Sequence, residues 1–152
     1  MSTLAPMIPT TRFGELEVRP EDLLHFPDGL IGLGGNEYLL VSARQEPFVW
    51  LQSLADPAVA LVLCEPGRFF PDFALEISDS EGQRLGLEPD TLTQVFVTVR
   101  AAPRATECTA NLRAPIVVLG TPGGVPRRAH QVINQASGVA LRAPLFGARA
   151  GG

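Results

Sequence analysis

The sequence predicts an all-β protein, a small antiparallel β-barrel-like domain with one short helix near residues 79–86. Three observations lead to this fold class. The chain has 152 residues, 45% of them hydrophobic, which is enough for one domain with a buried core. Its 14 prolines and 15 glycines leave few intervals for a long helix, because proline inside a helix costs about 3 kcal/mol. The apolar runs between these residues are short and rich in Val, Phe, Ile and Leu, which is typical of strands.

Ten segments fit a strand pattern, and turn residues separate them. Alternation of apolar and polar residues is clearest at 15–18 and 96–99, as expected for half-buried strands. Regular spacing of short strands favours an antiparallel barrel or sandwich. The predicted strands are 13–18, 38–42, 47–54, 58–64, 73–77, 94–101, 106–112, 115–119, 129–135 and 138–142.

Local signals predict one helix and one helical turn. Ser78 or Asp79 can cap a helix that ends near Gly86, which suits a left-handed C-terminal cap. Acidic residues lie in its first turn, where the helix dipole favours them. A second helical turn is expected after Pro20, and it must end before Pro27, because the residue preceding a proline avoids the helical region.

The chain shows no internal repeat and no linker, so we predict one domain at 11–146 between flexible tails at 1–10 and 147–152. Its apolar runs are shorter than the roughly 18 residues of a membrane span. The N-terminus lacks the basic region of a signal peptide, and Pro6 and Pro9 interrupt it. We therefore expect a cytoplasmic protein with no membrane partner.

Charge is distributed unevenly along the chain. Residues 1–90 contain 15 carboxylates and 5 arginines, a balance of −10. Residues 91–152 contain one carboxylate and 7 arginines, a balance of +6. Either the two halves interleave in one fold and their charges pair, or the asymmetry marks an acidic or basic interaction surface.

The sequence lacks the residue patterns of common catalytic and metal sites. Cys64 and Cys108 lie 44 positions apart, too far for a metal-binding pair or a redox motif, and we expect buried free thiols. His25 and His130 accompany no Gly-x-Ser-x-Gly element. The glycine-rich run at 32–35 precedes a strand pattern, so it is expected to form a turn and not a phosphate loop. We predict no catalytic, cofactor-binding or metal-binding residue.

Two other interpretations stay open. The run 123–128 (GGVPRR) is a candidate basic hairpin tip for RNA phosphates, although the basic half has few aromatic residues for base stacking. Asp72, Glu76 and Asp79 are candidate carboxylates of a hydrolase, but they lack the glycine-containing loop of a typical cation site. We expect these three to be solvated or helix-capping acids.

Six blocks carry proline and aromatic residues in a specific order. They are 12–15 (RFGE), 26–32 (FPDGLIG), 50–57 (WLQSLADP), 70–73 (FPDF), 111–117 (NLRAPIV) and 141–145 (LRAPL). In this order and spacing they closely resemble the FliW family of flagellar assembly factors. The resemblance runs from about Thr11 to Leu145.

The resemblance implies a non-enzymatic cytoplasmic β-barrel-like protein without a cofactor. Such proteins bind flagellin and CsrA, an RNA-binding translational regulator. Flagellin that accumulates occupies the factor and frees CsrA to repress flagellin translation. After flagellin is secreted, the factor sequesters CsrA, and translation resumes. We therefore expect flagellin and CsrA as partners, a monomer and no direct nucleic-acid contact. The alternative is a small β-barrel that binds RNA directly through its arginine-rich C-terminal half.

The predicted partner-binding residues lie between positions 69 and 90. Phe69, Phe70 and Phe73 cannot all face one side of a strand, so one of them is expected to be an exposed partner anchor. Since the resemblance implies a partner with a basic RNA-binding surface, nearby acids are expected to contact it. The full predicted set is Phe69, Phe70, Asp72, Phe73, Glu76, Asp79, Glu81, Glu88 and Asp90. Trp50 is expected in the core instead.

Overall fold

The fold consists mainly of β-strands in a computed structural model that describes residues 6–42, 48–86, 92–104, 107–120, 127–136 and 140–145. These ranges contain a single α-helix, α1 at Asp79–Leu85. The strands are β1 Met7–Thr10, β2 Gly14–Glu17, β3 Leu23–His25, β4 Glu37–Ser42, β5 Phe48–Ser53, β6 Ala60–Cys64, β7 Leu92–Arg100, β8 Thr109–Ala110, β9 Ile116–Leu119, β10 Arg127–Gln131 and β11 Ala143–Pro144.

Seven strands close into a barrel. They follow the order β7-β6-β5-β4-β3-β10-β9, and β9 pairs with β7 to complete the circle. All neighbours in this ring are antiparallel except β3 and β10, which are parallel. One parallel pair is unavoidable, because strands that alternate in direction around an odd-numbered ring must repeat a direction once. β8 and β11 extend the sheet beside β7, while β1 and β2 form a separate hairpin.

The barrel interior holds the main hydrophobic core. Leu24, Phe26, Tyr38 and Leu63 are fully buried there. The rings of Phe26 and Tyr38 meet edge to face with centroids 5.4 Å apart, and the Tyr38 hydroxyl donates to the Gly34 carbonyl at 3.1 Å. Because this bond satisfies the polar end of the tyrosine, its ring can be buried without an unpaired hydroxyl.

The all-β prediction is confirmed, and most predicted strands exist. Six of them correspond to β2, β4, β5, β6, β7 and β9 within a few residues at each end. The predictions at 106–112 and 129–135 locate β8 and β10 but extend beyond them. In both places the chain leaves the ladder early, and the described residues that follow are irregular.

The strand predicted at 73–77 is wrong. Its alternating pattern is genuine, because Phe73, Leu75 and Ile77 are partly buried on apolar clusters while the residues between them are exposed. However, the side chain of Asn134 makes two of its backbone hydrogen bonds, in place of a neighbouring strand. Alternation of apolar and polar residues therefore indicates a half-buried extended segment, which need not pair with a neighbouring strand.

Three short strands were not predicted, and one prediction was displaced. Residues 140–142, the described part of the strand predicted at 138–142, are irregular, and the next strand is β11. β1, β3 and β11 have four, three and two residues, and β1 and β11 contain proline, which weakens a strand signal. β1 lies within the predicted tail 1–10 and pairs with β2. Because residues 1–5 and 146–152 lie outside the described ranges, the division into one domain and two tails stays a prediction.

The helix prediction is confirmed at both ends. The Ser78 hydroxyl accepts a hydrogen bond from the peptide N–H of Glu81 at 3.1 Å, as an N-cap does. Gly86 ends the helix with a φ of 69°, in the left-handed region. The turn expected after Pro20 is a 3-10 turn at Pro20–Asp22. No helix in the described ranges is long and apolar enough to cross a lipid bilayer.

Gly35, in the loop between β3 and β4, is expected not to tolerate alanine. Its φ is 87°, and an added Cβ would lie 2.9 Å from the Cβ of Ala55. Gly35→Ala should lower the free energy of unfolding by at least about 1–2 kcal/mol in urea denaturation, from the left-handed backbone alone. The control is Gly32→Ala, which has a similar φ of 81° but where an added Cβ meets no atom within 4 Å. Equal losses in both variants would contradict the close approach as the cause.

Candidate partner-binding surface

Residues 65–86 leave the sheet after β6 and cover part of the outer face of the barrel; we call them the covering segment. They comprise a 3-10 turn at Pro66–Arg68, an extended stretch and α1. Their apolar side chains form two clusters with the barrel. Phe69, Phe70 and Phe73 pack with Cys64, Val97 and Leu145, and Leu75, Ile77 and Leu85 pack with Val95, Val117 and Val132.

The three predicted aromatic anchors belong to the packed side of the covering segment. Phe69, Phe70 and Phe73 are each partly buried. Phe69 stacks on Phe48 of β5, with ring centroids 5.6 Å apart and an interplanar angle of 23°. These rings therefore attach the segment to the barrel, and a partner would reach only their exposed parts. Their role in partner binding stays a prediction.

The acidic residues lie on the opposite, solvent-facing side of the covering segment. Asp72, Glu76 and Asp79 are all exposed, and we call them the acidic face. Glu81 is half-buried and its carboxylate lies 3.3 Å from the Arg84 guanidinium, so part of its charge is neutralised within the protein. Glu88 and Asp90, which were also predicted to bind a partner, lie outside the described residues.

Asn134 fastens the covering segment to the chain just after β10. Its Oδ1 accepts from the peptide N–H groups of Glu76 at 2.9 Å and Ala136 at 3.1 Å. Its Nδ2 donates to the carbonyls of Ala74 at 2.9 Å and Leu112 at 3.2 Å. An asparagine amide offers two donors and two acceptor lone pairs, so all four positions are used. The backbone at Glu76, in the middle of the acidic face, is consequently fixed.

An ion-pair chain links α1 to the loop after β3. Arg84 pairs with both Glu81 and Asp28, the second at 3.4 Å. The same Asp28 oxygen lies 3.6 Å from Nδ1 of His130, a buried side chain whose two ring nitrogens have no hydrogen-bond partner. Burial lowers the pKa of His130, and the nearby positive charge of Arg128 lowers it further. His130 is therefore kept neutral near pH 7.

The stability of the protein is expected to fall in acid through His130. Its folded pKa lies below the ordinary value of 6.5, so the unfolded chain binds this proton more readily. The contribution of neutral His130 to the free energy of unfolding is complete above about pH 6.5, and it decreases as the pH falls toward the folded pKa. His130→Gln should flatten this part of the pH profile of the unfolding free energy in urea. His25→Gln retains His130 and serves as the control; an unchanged slope in His130→Gln would refute the assignment.

The arginine pair predicted as a basic tip is largely engaged within the protein. Arg127 is buried and donates to Oε1 of Gln94 at 3.1 Å. Arg128 is exposed but donates to the Leu85 carbonyl at 3.1 Å. The remainder of the predicted tip, 121–126, lies outside the described residues. Within the described residues, no arginine of the basic half forms an ion pair with a carboxylate, so pairing between the halves does not remove the charge asymmetry there.

The loop at 26–36 exposes an apolar residue that the sequence interpretation did not assign to a site. Ile31 is 72% exposed, although its peptide N–H is fixed by Oε1 of Gln131 at 3.0 Å. It lies between Gly29 and Gly32, both with positive φ. The available signal was an isoleucine between two glycines in the FPDGLIG block, where a tight turn cannot bury every side chain.

The block around Trp50 has a structural role at the barrel exterior. The Trp50 ring is partly buried, not fully in the core as expected. Phe13 meets it edge to face at 5.6 Å between centroids, and the Arg12 guanidinium lies 4.4 Å above it. The tip of the β1–β2 hairpin therefore covers this ring, so two of the six sequence blocks meet in space.

The described residues contain no group of three or more His, Cys, Asp or Glu side chains arranged to hold a metal ion. Cys64 is buried, as expected, and Cys108 is half-buried; both thiols are free. Burial and the neighbouring Glu65 raise the pKa of Cys64 to about 12, which makes it a poor nucleophile.

These features define a class of protein: a small closed β-barrel with a packed covering segment that presents an acidic face to solvent. The chain belongs to the FliW family, since the family described as FliW protein matches residues 7–145. The resemblance carried by the six sequence blocks is thereby confirmed.

Several relatives named as flagellar assembly factors match most of the chain. FliW 2 of Desulfotalea psychrophila is 35% identical over 137 residues, 89% of this chain and 87% of the relative. FliW of Bdellovibrio bacteriovorus is 34% identical over 142 residues, 92% of this chain and 79% of the relative. A solved crystal structure of the flagellar assembly factor FliW has a TM-score of 0.79 and 28% sequence identity, and the match covers 93% of this chain and 97% of that one.

Proposed function

We propose that this chain is a non-enzymatic, cytoplasmic flagellar assembly factor that binds flagellin and CsrA. By sequestering CsrA when flagellin is scarce, it relieves repression of flagellin translation. We propose that it acts as a monomer and needs no cofactor. The switch between the two partners follows from mass action, because binding of one partner reduces the amount of free protein left for the other.

The observation that carries this proposal is the match to flagellar assembly factors along nearly the whole barrel. The acidic face supports it physically. Asp72, Glu76 and Asp79 are exposed, and Asn134 holds the backbone between them in place at Ala74 and Glu76. An acidic surface on a rigid element favours association with a basic protein, and CsrA binds RNA.

Purified chain, mixed with the flagellin and the CsrA of its own host, tests the proposal. We expect each partner to co-elute with the chain in size-exclusion chromatography at micromolar concentrations. We also expect an excess of flagellin to displace CsrA or reduce the amount bound. Failure of both proteins to bind would refute the proposal, whereas binding of flagellin alone would remove the CsrA half of it.

The basic tip at Arg127 and Arg128 is not favoured as an RNA site by the described residues. Arg127 is buried, and Arg128 is bonded to a backbone carbonyl. RNA binding that weakens with salt and is lost in the Arg127→Ala/Arg128→Ala double variant would restore this alternative.

A further inference from the structure

The part of the sheet formed by the end of β7 with β8 and β11 has one covered face and one open face. Val99 of β7, Ala110 of β8 and Ala143 of β11 are cross-strand neighbours. All three belong to the apolar cluster that the aromatic residues of the covering segment join. Because side chains alternate along a strand, the residues next to these three lie on the face turned away from the covering segment.

The open face has an arginine on each of its outer strands. Arg100 of β7 and Arg142, just before β11, are both exposed. Arg100 pairs with Thr109, which pairs with Pro144, two residues after Arg142. Two strand spacings across the sheet and two residues along it place the arginine Cα atoms about 12 Å apart. We call Arg100, Arg142 and the side chains between them, Thr109 and Asn111, the arginine face.

The side chains between the two arginines offer further hydrogen-bond donors. Oδ1 of Asn111 accepts from the peptide N–H groups of Arg113 at 3.0 Å and Ala114 at 3.2 Å. These two bonds fix the orientation of the amide, so its Nδ2 group remains a donor. Within the described residues, neither this nitrogen nor the Thr109 hydroxyl has a hydrogen-bond partner. The arginine face therefore presents donors, which suit an anionic ligand.

The charge around the arginine face is positive and is not neutralised within the described residues. Arg104, after β7, and Arg113, after β8, are exposed as well. None of these four arginines forms an ion pair with a described carboxylate. The only carboxylate of the basic half is Glu107, so positive charge exceeds negative charge here.

The properties of the chain favour a peptide carboxylate over an RNA phosphate as the anion. Guanidinium groups bind either one through paired hydrogen bonds. Single-stranded nucleic acid also requires exposed aromatic rings for base stacking, and no aromatic side chain among the described residues is exposed. The net charge of −4 additionally repels a long polyanion, whereas a short acidic segment need contact only the arginine face.

We propose that the arginine face binds an extended acidic peptide of a partner protein, whose carboxylates pair with Arg100 and Arg142. An extended chain places side chains i and i+2 about 7 Å apart and side chains i and i+4 about 13 Å apart. Acids at alternate positions therefore reach both arginines while the peptide crosses Asn111. This goes beyond the proposed function, because it assigns a second surface, opposite in charge to the acidic face and on the other side of the sheet.

Fluorescence anisotropy with a fluorescein-labelled EAEAEA peptide and the full chain tests the proposal. The test variant is Arg100→Gln/Arg142→Gln, which removes both guanidinium groups from exposed positions. The matched control is Arg19→Gln/Arg68→Gln, which removes two exposed arginines elsewhere and changes the net charge by the same amount. We expect at least about tenfold weaker binding to the test variant and less than about twofold change in the control.

Two further ligands distinguish carboxylate recognition from other binding. A QAQAQA peptide with the same label should not bind, and a labelled RNA of six uridines should bind more weakly than EAEAEA. Tighter binding of the RNA, or equal binding of QAQAQA, would overturn the proposal. Equal weakening in both double variants, or no binding of EAEAEA at millimolar protein, would overturn it as well. None of these results depends on flagellin or CsrA, so the proposed function is tested separately.

Discussion

Asn134→Ala is expected to lower the free energy of unfolding by about 2–4 kcal/mol, more than its size suggests. The amide is 3% exposed and bonds to four backbone groups, at Ala74, Glu76, Leu112 and Ala136. Alanine removes all four bonds and leaves those backbone groups with too few partners. Urea denaturation measures the loss.

The same variant should also loosen the covering segment. The peptide N–H of Gln135 donates to the Glu76 carbonyl at 2.7 Å, and this bond depends on the position that Asn134 fixes. Faster hydrogen exchange at Glu76 and Gln135 is therefore expected, beyond the change at central barrel amides.

Asn36→Ala is the matched control. Asn36 is exposed, and its Nδ2 donates to the carbonyls of Phe26 at 2.7 Å and Pro27 at 3.3 Å. Water can replace these bonds, so a loss of about 1 kcal/mol or less is expected. If Asn134→Ala costs no more than Asn36→Ala, the covering segment is held mainly by its apolar contacts.

Neutralising the acidic face should slow the proposed association with CsrA by about tenfold at low ionic strength. The variant is Asp72→Asn/Glu76→Gln/Asp79→Asn, in which three exposed charges are lost without a large change of shape. At 0.1 M salt, exposed charges separated by more than about 10 Å are screened. Because the variant has fewer such charges to screen, its association rate should also depend less on salt than that of the unmodified protein. Stopped-flow fluorescence with labelled CsrA measures both effects.

A second triple variant distinguishes a local surface from net charge. Glu15, Glu21 and Glu37 are also exposed, and Glu15→Gln/Glu21→Gln/Glu37→Gln changes the net charge by the same amount. We expect a smaller effect on the association rate from this control. Equal slowing by both triples would mean that only total charge matters, and unchanged kinetics in both would remove the acidic face from the proposed function.

Local signals in the sequence were sufficient for α1 and for most of the barrel strands. Ser78 caps the start of the helix and Gly86 caps its end, each through contacts within a few residues. The sequence near these two residues is therefore sufficient to predict where the helix begins and ends. Asn134 is different, because its partners at Ala74 and Glu76 lie 60 and 58 positions away. No local pattern indicates such a bond, and the stretch it holds was consequently taken for a strand.

The candidate surface was predicted only in part for the same reason. Asp72, Glu76 and Asp79 were predicted to be solvated or helix-capping acids, and all three are exposed. Arg127 was taken for part of an exposed tip, but it is buried beside Gln94, 33 positions away. Whether a charged side chain faces solvent depends on which distant strand lies beside it.

The parallel pairing of β3 and β10 has a consequence for folding. Leu24 pairs with Arg127, 103 positions later in the chain, and this contact joins the first and the last strand of the ring in chain order. Such distant contacts form slowly, because the intervening chain loses much entropy when its ends meet. During synthesis, one edge of β3 has no partner until β10 has been made, and until then that edge remains available to other chains. A strand near residue 127 therefore protects the edge of a strand near residue 24.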